Sequence, residues 1–193
     1  MHPNLLLNLA EIEEIKRKVE RYPWAKEAYQ ILQANADSWA AREIDVPKTG
    51  GGFYHAADPT VYAITEQHYA LADAARDLGL MFQLTGDTRY QSKAKEILLA
   101  YAETYLTYEY HDKAGRTGAK AEAGGRTTPQ GINEATWAIA IAWAYDLIYQ
   151  GLTSEQRDKI EGQILQPAAE IIMDNNEGRH NHQTWYNSGV GVL

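Results

Sequence analysis

Apolar positions along this chain recur every three to four residues rather than every second one, which predicts helices joined by turns. Long alternating β-branched runs are absent. Asn8 and Glu11 stand in capping-box register ahead of a helix to about residue 20, with Ile12, Ile15 and Val19 on one face. Pro23 suits the first turn of a second helix, which carries Trp24, Ala28, Ile31, Leu32 and Trp39 and ends before Pro47. A third helix over about 64–84 places His68, Leu71, Ala75, Leu78 and Phe82 on one stripe, and Thr85-Gly86-Asp87 closes it. A fourth runs over about 88–108 with Tyr90, Ala94, Ile97, Leu98, Tyr101 and Tyr105 turned inward.

Residues 133–149 break this amphipathic rule, because Trp137, Ile139, Ile141, Trp143, Tyr145, Leu147 and Ile148 leave almost no polar face. Such a helix is buried on most sides. Asp146 lies within that run and needs a structural partner if it is buried. Thr153 and Gln156 then form a second capping box, opening an amphipathic helix to about residue 173 with Ile160, Ile164 and Ile171 inward and a kink expected at Pro167. The chain therefore reads as all-α, three antiparallel helical hairpins in succession. A buried helix followed by an amphipathic one is the unit of an α/α toroid with inner and outer rings, of which three hairpins make only an arc.

Two stretches fall outside the helical pattern. Lys48 to His55 contains three successive glycines followed by Phe53, Tyr54 and His55. It lacks the Gly-Lys-Ser/Thr ending of a phosphate loop, so it is either a flexible connection or a lid carrying Tyr54 and His55 over a cleft. Residues 109–131 are rich in glycine and hold Lys113, Arg116, Lys120 and Arg126, the one locally basic loop. It is a solvated excursion or, like many loops longer than about 15 residues, a functional one.

Composition narrows the function. A formal charge of −8 argues against general nucleic-acid binding, which needs a surplus of Lys and Arg on one face. The absence of cysteine excludes a disulfide framework and a thiolate metal site. No leader pattern and no apolar run of roughly 20 residues is present, so neither a signal peptide nor a membrane partner is expected in this stretch.

The densest chemistry is His180-Asn181-His182-Gln183-Thr184-Trp185-Tyr186, which follows the last long helical pattern. An amide beside an imidazole can grip a carboxylate and make the adjacent C–H more acidic. Asn181 could equally cap a helix starting near Gln183. His180 and His182 lack a convincingly spaced third ligand, so neither metal nor cofactor is expected. Glu134 reads as a partner of the helix dipole in the first turn, or as a substrate contact. His68, on an apolar stripe, reads as a satisfied core histidine.

Taken together, His2-Pro3-Asn4-Leu5-Leu6-Leu7, Leu84-Thr85-Gly86-Asp87 with Tyr90, the run from Gln130 to Trp137, Ala144-Tyr145-Asp146-Leu147 and the run from Asn181 to Tyr186 resemble the helical toroid domain of the heparinase II/III-like and alginate lyase superfamily. The resemblance implies β-elimination on a uronic-acid polysaccharide of the alginate or heparin/heparan type. A base takes the C5 proton, the C4–O bond breaks, and an unsaturated sugar end forms. It assigns Asn181 and His182 to carboxylate neutralisation, with Gln130 assisting and Tyr186 and Trp185 walling the sugar subsite. Tyr54, His55 and Glu134 complete the candidate substrate contacts. The resemblance also implies a periplasmic or secreted location, and a catalytic tyrosine and a β-sandwich beyond residue 193. Residues 1–193 are thus expected to be one helical domain that is part of a larger toroid, inactive alone, and self-associating through an uncovered apolar edge. Two other functions stay open: a toroid glycoside hydrolase, for which Asp58, Glu134 and Asp146 are the acids to recruit, and a non-catalytic scaffold that binds glycan or protein.

Overall fold

The computed structural model describes residues 2–175 and 178–193. It is all-α: α1 (Leu9–Arg21), α2 (Pro23–Ala40), α3 (Pro59–Thr85), α4 (Thr88–Thr104), α5 (Gly131–Ile148), α6 (Ser154–Ile160), α7 (Gln166–Asp174) and α8 (Asn181–Val192), with no strand element among the described residues. None of the described helices is long and apolar enough to cross a membrane.

Local signals set most helix starts. Asn8 accepts from the N–H groups of Ala10 and Glu11 at 2.9 and 3.1 Å while Glu11 accepts from Asn8 N–H at 2.9 Å. Thr153 and Gln156 close the same reciprocal box at α6. The structure starts α3 five residues before the expected position, because Asp58 accepts from Thr60 N–H and Pro59 fills the first helical turn. A proline there removes a donor that has no helical partner anyway. Pro167 also falls differently: the wider turn Glu161–Leu165 carries α6 into α7, with Gln166 N–H bonded to Glu161 O. Such a turn absorbs irregularity without ending the helix.

Helix α5 is the axis of the fold, with fourteen of its eighteen residues buried. Trp137 stacks parallel on Tyr105 at 5.2 Å and meets Tyr101 edge-on at 5.1 Å. Gly79 of α3 lies against Leu147, and Gly51 and Gly52 link Thr65 of α3 to Thr127 just ahead of α5, so α3 and α5 run in the same direction. Gly189 packs on Ala135 and Tyr186 on Gly131, so α8 runs parallel to both. Helices α2, α4 and α7 return in the opposite sense: Asn35 reaches Asp77 while Asp45, beyond α2, meets Gln67; His68 early in α3 meets Tyr101 late in α4; and Asn175 and Ile172 lie level with Tyr186 and Gly189 in turn. The result is an arc of an α/α toroid whose inner helices α3, α5 and α8 start at one end.

The packing keeps only part of the expected stripe in α2, Leu32 and Trp39 lying against the core. Ala25 and Ala36 are its buried positions, whereas Trp24 and Ile31 are 63% and 67% exposed. At the far end of α5, Asp146 has the structural partners its burial demands. It accepts from the N–H groups of Asn4 and Leu5 at 2.7 and 2.8 Å and pairs with the His2 ring, which stacks on Tyr149.

Candidate active site

The shared starting end of α5 and α8 gathers the candidate chemistry. Gln130 is the residue before α5, extended at φ −147°, and its carbonyl accepts from Asn133 and Glu134 N–H at 2.9 and 3.0 Å. Gly131 follows because nothing larger fits. A Cβ there would collide with Asn175 and lie 3.1 Å from the Tyr186 hydroxyl. That contact docks the first turns of α8 beside the first turn of α5, one helical turn after His182.

Asn181 and His182 are the first two residues of α8. The helix cap is His180, whose Nδ1 accepts from His182 N–H at 3.3 Å, so the structure corrects the capping role considered for Asn181. The His180 and His182 rings meet edge-on at 4.2 Å, and His182 faces Tyr186 at 6.4 Å. Asn181 is exposed and His182 half-buried. Trp185, one turn after Asn181, is 46% exposed, whereas the Tyr186 ring is buried and packs the helix down rather than walling a subsite. The starting ends of two parallel helices carry the positive ends of their macrodipoles, which favour an anion at their mouth.

Two loops overhang this end, and both are more structured than their sequences suggest. Gly51 N–H donates to Thr127 O at 2.9 Å, His111 Nε2 to Gly51 O at 2.7 Å, and the Thr65 hydroxyl to Gly52 O at 2.8 Å. A Cβ on Gly50 would strike Arg126 O and the His111 ring, and one on Gly51 would strike the Thr65 backbone. The glycines thus form a packed strap, and the flexible-connection reading does not hold. Beyond the strap, Tyr54 and His55 lie against each other at 4.0 Å, both exposed, with Tyr54 at 59%.

The 109–131 loop is organised by Asp112, which accepts from the N–H groups of Ala114, Arg116 and Glu122 and from Arg116 Nε at 2.7 Å. Burial opposes its charge, but those donors hold its carboxyl down at about 2. Arg116 also reaches Glu122, and Arg126 donates to Tyr108 O, so the arginines of the basic loop serve the loop itself. Tyr110 accepts from Gly124 N–H and donates to Asn175 Oδ1 at 3.2 Å, while Asn175 Nδ2 donates to Gly124 O at 2.9 Å. These residues border a cavity of about 550 Å³ with Glu122, Arg126 and Asp174. Sequence reading missed Tyr110 and Asn175. Their one signal was polar character at the edge of helical segments.

Glu134 is fully buried beneath the mouth. Its carboxylate accepts from Thr127 N–H at 3.0 Å, Thr127 Oγ1 at 2.6 Å, Thr128 N–H at 3.1 Å and the Tyr105 hydroxyl at 2.9 Å. Burial, and next the Glu134 charge, push the Tyr105 hydroxyl far up, so it stays a donor. No oxygen of Glu134 faces outward to meet a sugar. His68 is the satisfied core histidine expected: Nε2 donates to Thr49 O at 3.0 Å, which leaves Nδ1 to accept from Tyr101 OH at 2.9 Å. Burial lowers its pKa to about 4. Among the described residues no cluster of three metal-ligating side chains occurs.

The acids considered for a glycosidase pair are occupied elsewhere. Asp58 caps α3, Asp146 holds the N-terminal segment at the opposite end, and Glu134 is enclosed.

Comparison with known proteins bears on the whole chain. The alginate lyase family model matches residues 16–193. An exo-oligoalginate lyase of Saccharophagus degradans is 31% identical over 99% of this chain and 25% of its own length. An alginate lyase of Stenotrophomonas maltophilia is 29% identical over 97% of this chain and 24% of its own length. The chain thus spans about a quarter of these curated relatives.

Proposed function

The chain belongs to the alginate lyase family, and on that premise we propose that it supplies the substrate-gripping part of a polysaccharide lyase acting on a uronic-acid polymer, alginate in first place. What supports this reading is that Gln130 directly precedes α5, Asn181 and His182 open α8, and the two helices pack at that end through Gly131 and Tyr186. The names of both relatives favour alginate as the polymer.

An ionised uronate carboxylate opposes the negative charge that develops at C5 when its proton leaves. The amides of Asn181 and Gln130 and the imidazole of His182 donate to the carboxylate oxygens, and the two helix dipoles add to that field. Donors aimed at charge that grows in the transition state accelerate the step rather than only tightening binding. His182 also serves as base for the epimer whose C5 proton faces it. Trp185 and the Tyr54–His55 pair offer exposed ring faces to the sugars on either side. The protein acts in the periplasm or outside the cell, where such polymers occur.

Titration with oligoalginate by calorimetry tests the grip. Asn181→Ala and His182→Ala are each expected to weaken binding by roughly tenfold or more, as a lost hydrogen bond to a charged group costs about 1.5–3 kcal/mol. Unchanged affinity in both variants overturns the assignment. Product absorbance in the ultraviolet, from the new C4–C5 double bond, separates elimination from hydrolysis in the protein that carries this chain.

A further inference from the structure

Glu134 is a buried carboxylate that the proposed elimination does not use, yet it is bonded to the segment that delivers Gln130. Its Oε2 holds Thr127 N–H, Thr127 Oγ1 and Thr128 N–H, and Oε1 holds the Tyr105 hydroxyl. Thr128 Oγ1 in turn lies 3.2 Å from Gln130 O, the same carbonyl that Asn133 and Glu134 N–H cap. Residues 127–134 therefore close a ring in which the carboxylate and the backbone N–H of one residue grip both ends of a turn. Thr127 O also receives Gly51 N–H, so the glycine strap with Tyr54 and His55 hangs from the same anchor.

We propose that Glu134 is the positioning residue of the carboxylate clamp: it fixes the Thr127–Thr128 turn against α5 and so sets where the Gln130 amide points. This rests on the reading of Gln130 as a clamp member. Three features of the site favour positioning over simple core filling. Every oxygen is directed at the 127–128 turn or at Tyr105 behind it, the donors are neutral rather than a paired cation, and an apolar side chain would fill the volume but release the turn. An extended Gln130 at φ −147° has no cap hydrogen bond of its own to orient its side chain, so its aim follows the backbone that precedes it.

A double-mutant cycle with an oligoalginate tetrasaccharide as the calorimetric probe tests this. Glu134→Ala is expected to lower affinity by about the same factor as Gln130→Ala, and to lower it no further in the Gln130→Ala background, because contacts that act through one another are non-additive. Glu134→Gln is expected to restore near-native affinity: its amide oxygen replaces Oε2 for the Thr127 and Thr128 donors, and its NH2 donates to Tyr105. If Glu134→Ala does not fold, Thr127→Val, which removes one hydroxyl at constant shape, runs the same cycle with a smaller loss. An equal loss in both backgrounds, or no rescue by glutamine, overturns the positioning role. If Gln130→Ala alone leaves affinity unchanged, it is the clamp membership of Gln130 that fails, and a loss in Glu134→Ala must then be assigned to another residue.

Discussion

Helix α5 carries a buried carboxylate near each end, and the two solve the same problem differently. Glu134, in the first turn, lies where the helix dipole favours a negative charge and is enclosed by hydroxyl and amide donors. Asp146, in the last turn, lies where the dipole opposes it and faces the His2 ring and the N–H groups of Asn4 and Leu5. The donors of Glu134 belong to buried Thr127, Thr128 and Tyr105, whereas Asn4 and Leu5 are exposed. A carboxylate sealed in this way leaves its donors no water to turn to. The candidate site is therefore built at the rigid end, and the replaceable contact sits at the end where nothing catalytic is proposed.

This difference can be broken by mutation. Glu134→Leu is expected to destabilise by about 3–5 kcal/mol in urea denaturation, since each stranded buried donor costs about 1–3 kcal/mol. Next in size is an acid effect. His68 anchors Thr49 at the base of the strap, with its pKa lowered to about 4 in the folded protein against 6.5 unfolded. Its stabilising contribution is whole above the unfolded value and is lost as pH falls from 6.5 towards 4, roughly 3 kcal/mol at about 1.36 kcal/mol per unit. Asp112, held at about 2, takes over only below the ordinary carboxylate value of 3.8. Hydrogen-exchange protection factors across residues 47–58, taken relative to the intrinsic rate at each pH, should fall in the upper window, and His68→Gln should flatten that fall; a strap equally protected at pH 7 and 4.5 would count against the anchor.

Asp146→Ala comes third, at about 1–2 kcal/mol, because the released N–H groups of Asn4 and Leu5 reach solvent. If it costs as much as Glu134→Leu, the contrast between the two ends is wrong. Smallest is Asn8→Ala, which removes the α1 cap for about 1 kcal/mol and should leave oligoalginate affinity unchanged.

What the sequence made legible was local. Both capping boxes, the closed aromatic face of α5 and the pairing of Asp146 followed from spacing within a few residues or from the cost of burying charge. Helix α2 was legible in part: Leu32 and Trp39 pack on the core as expected, but Trp24 and Ile31 face out, since small Ala25 and Ala36 allow closer approach. The start of α3 hid in Asp58-Pro59, which reads equally as a turn. At the site, the proposed roles of Gln130, Asn181 and His182 come from the resemblance, and the structure adds only their places at the starts of α5 and α8. The enclosure of Glu134 was not, because its donors come from an aperiodic loop whose path no periodicity encodes. The burial of Tyr186 against Gly131 escaped notice because it depends on which face of α8 meets α5.

The strap at residues 50–52 has a consequence for how this protein can vary over generations. Any alteration of a glycine codon that changes the residue adds at least a Cβ, and at all three positions that atom meets an occupied neighbour: Arg126 O, the Thr65 backbone, or Val61. Three neighbouring codons are thereby closed to drift by packing alone. A laboratory library randomised across them should return almost only glycine, whereas the exposed Tyr54 and His55 a step further on should accept many replacements.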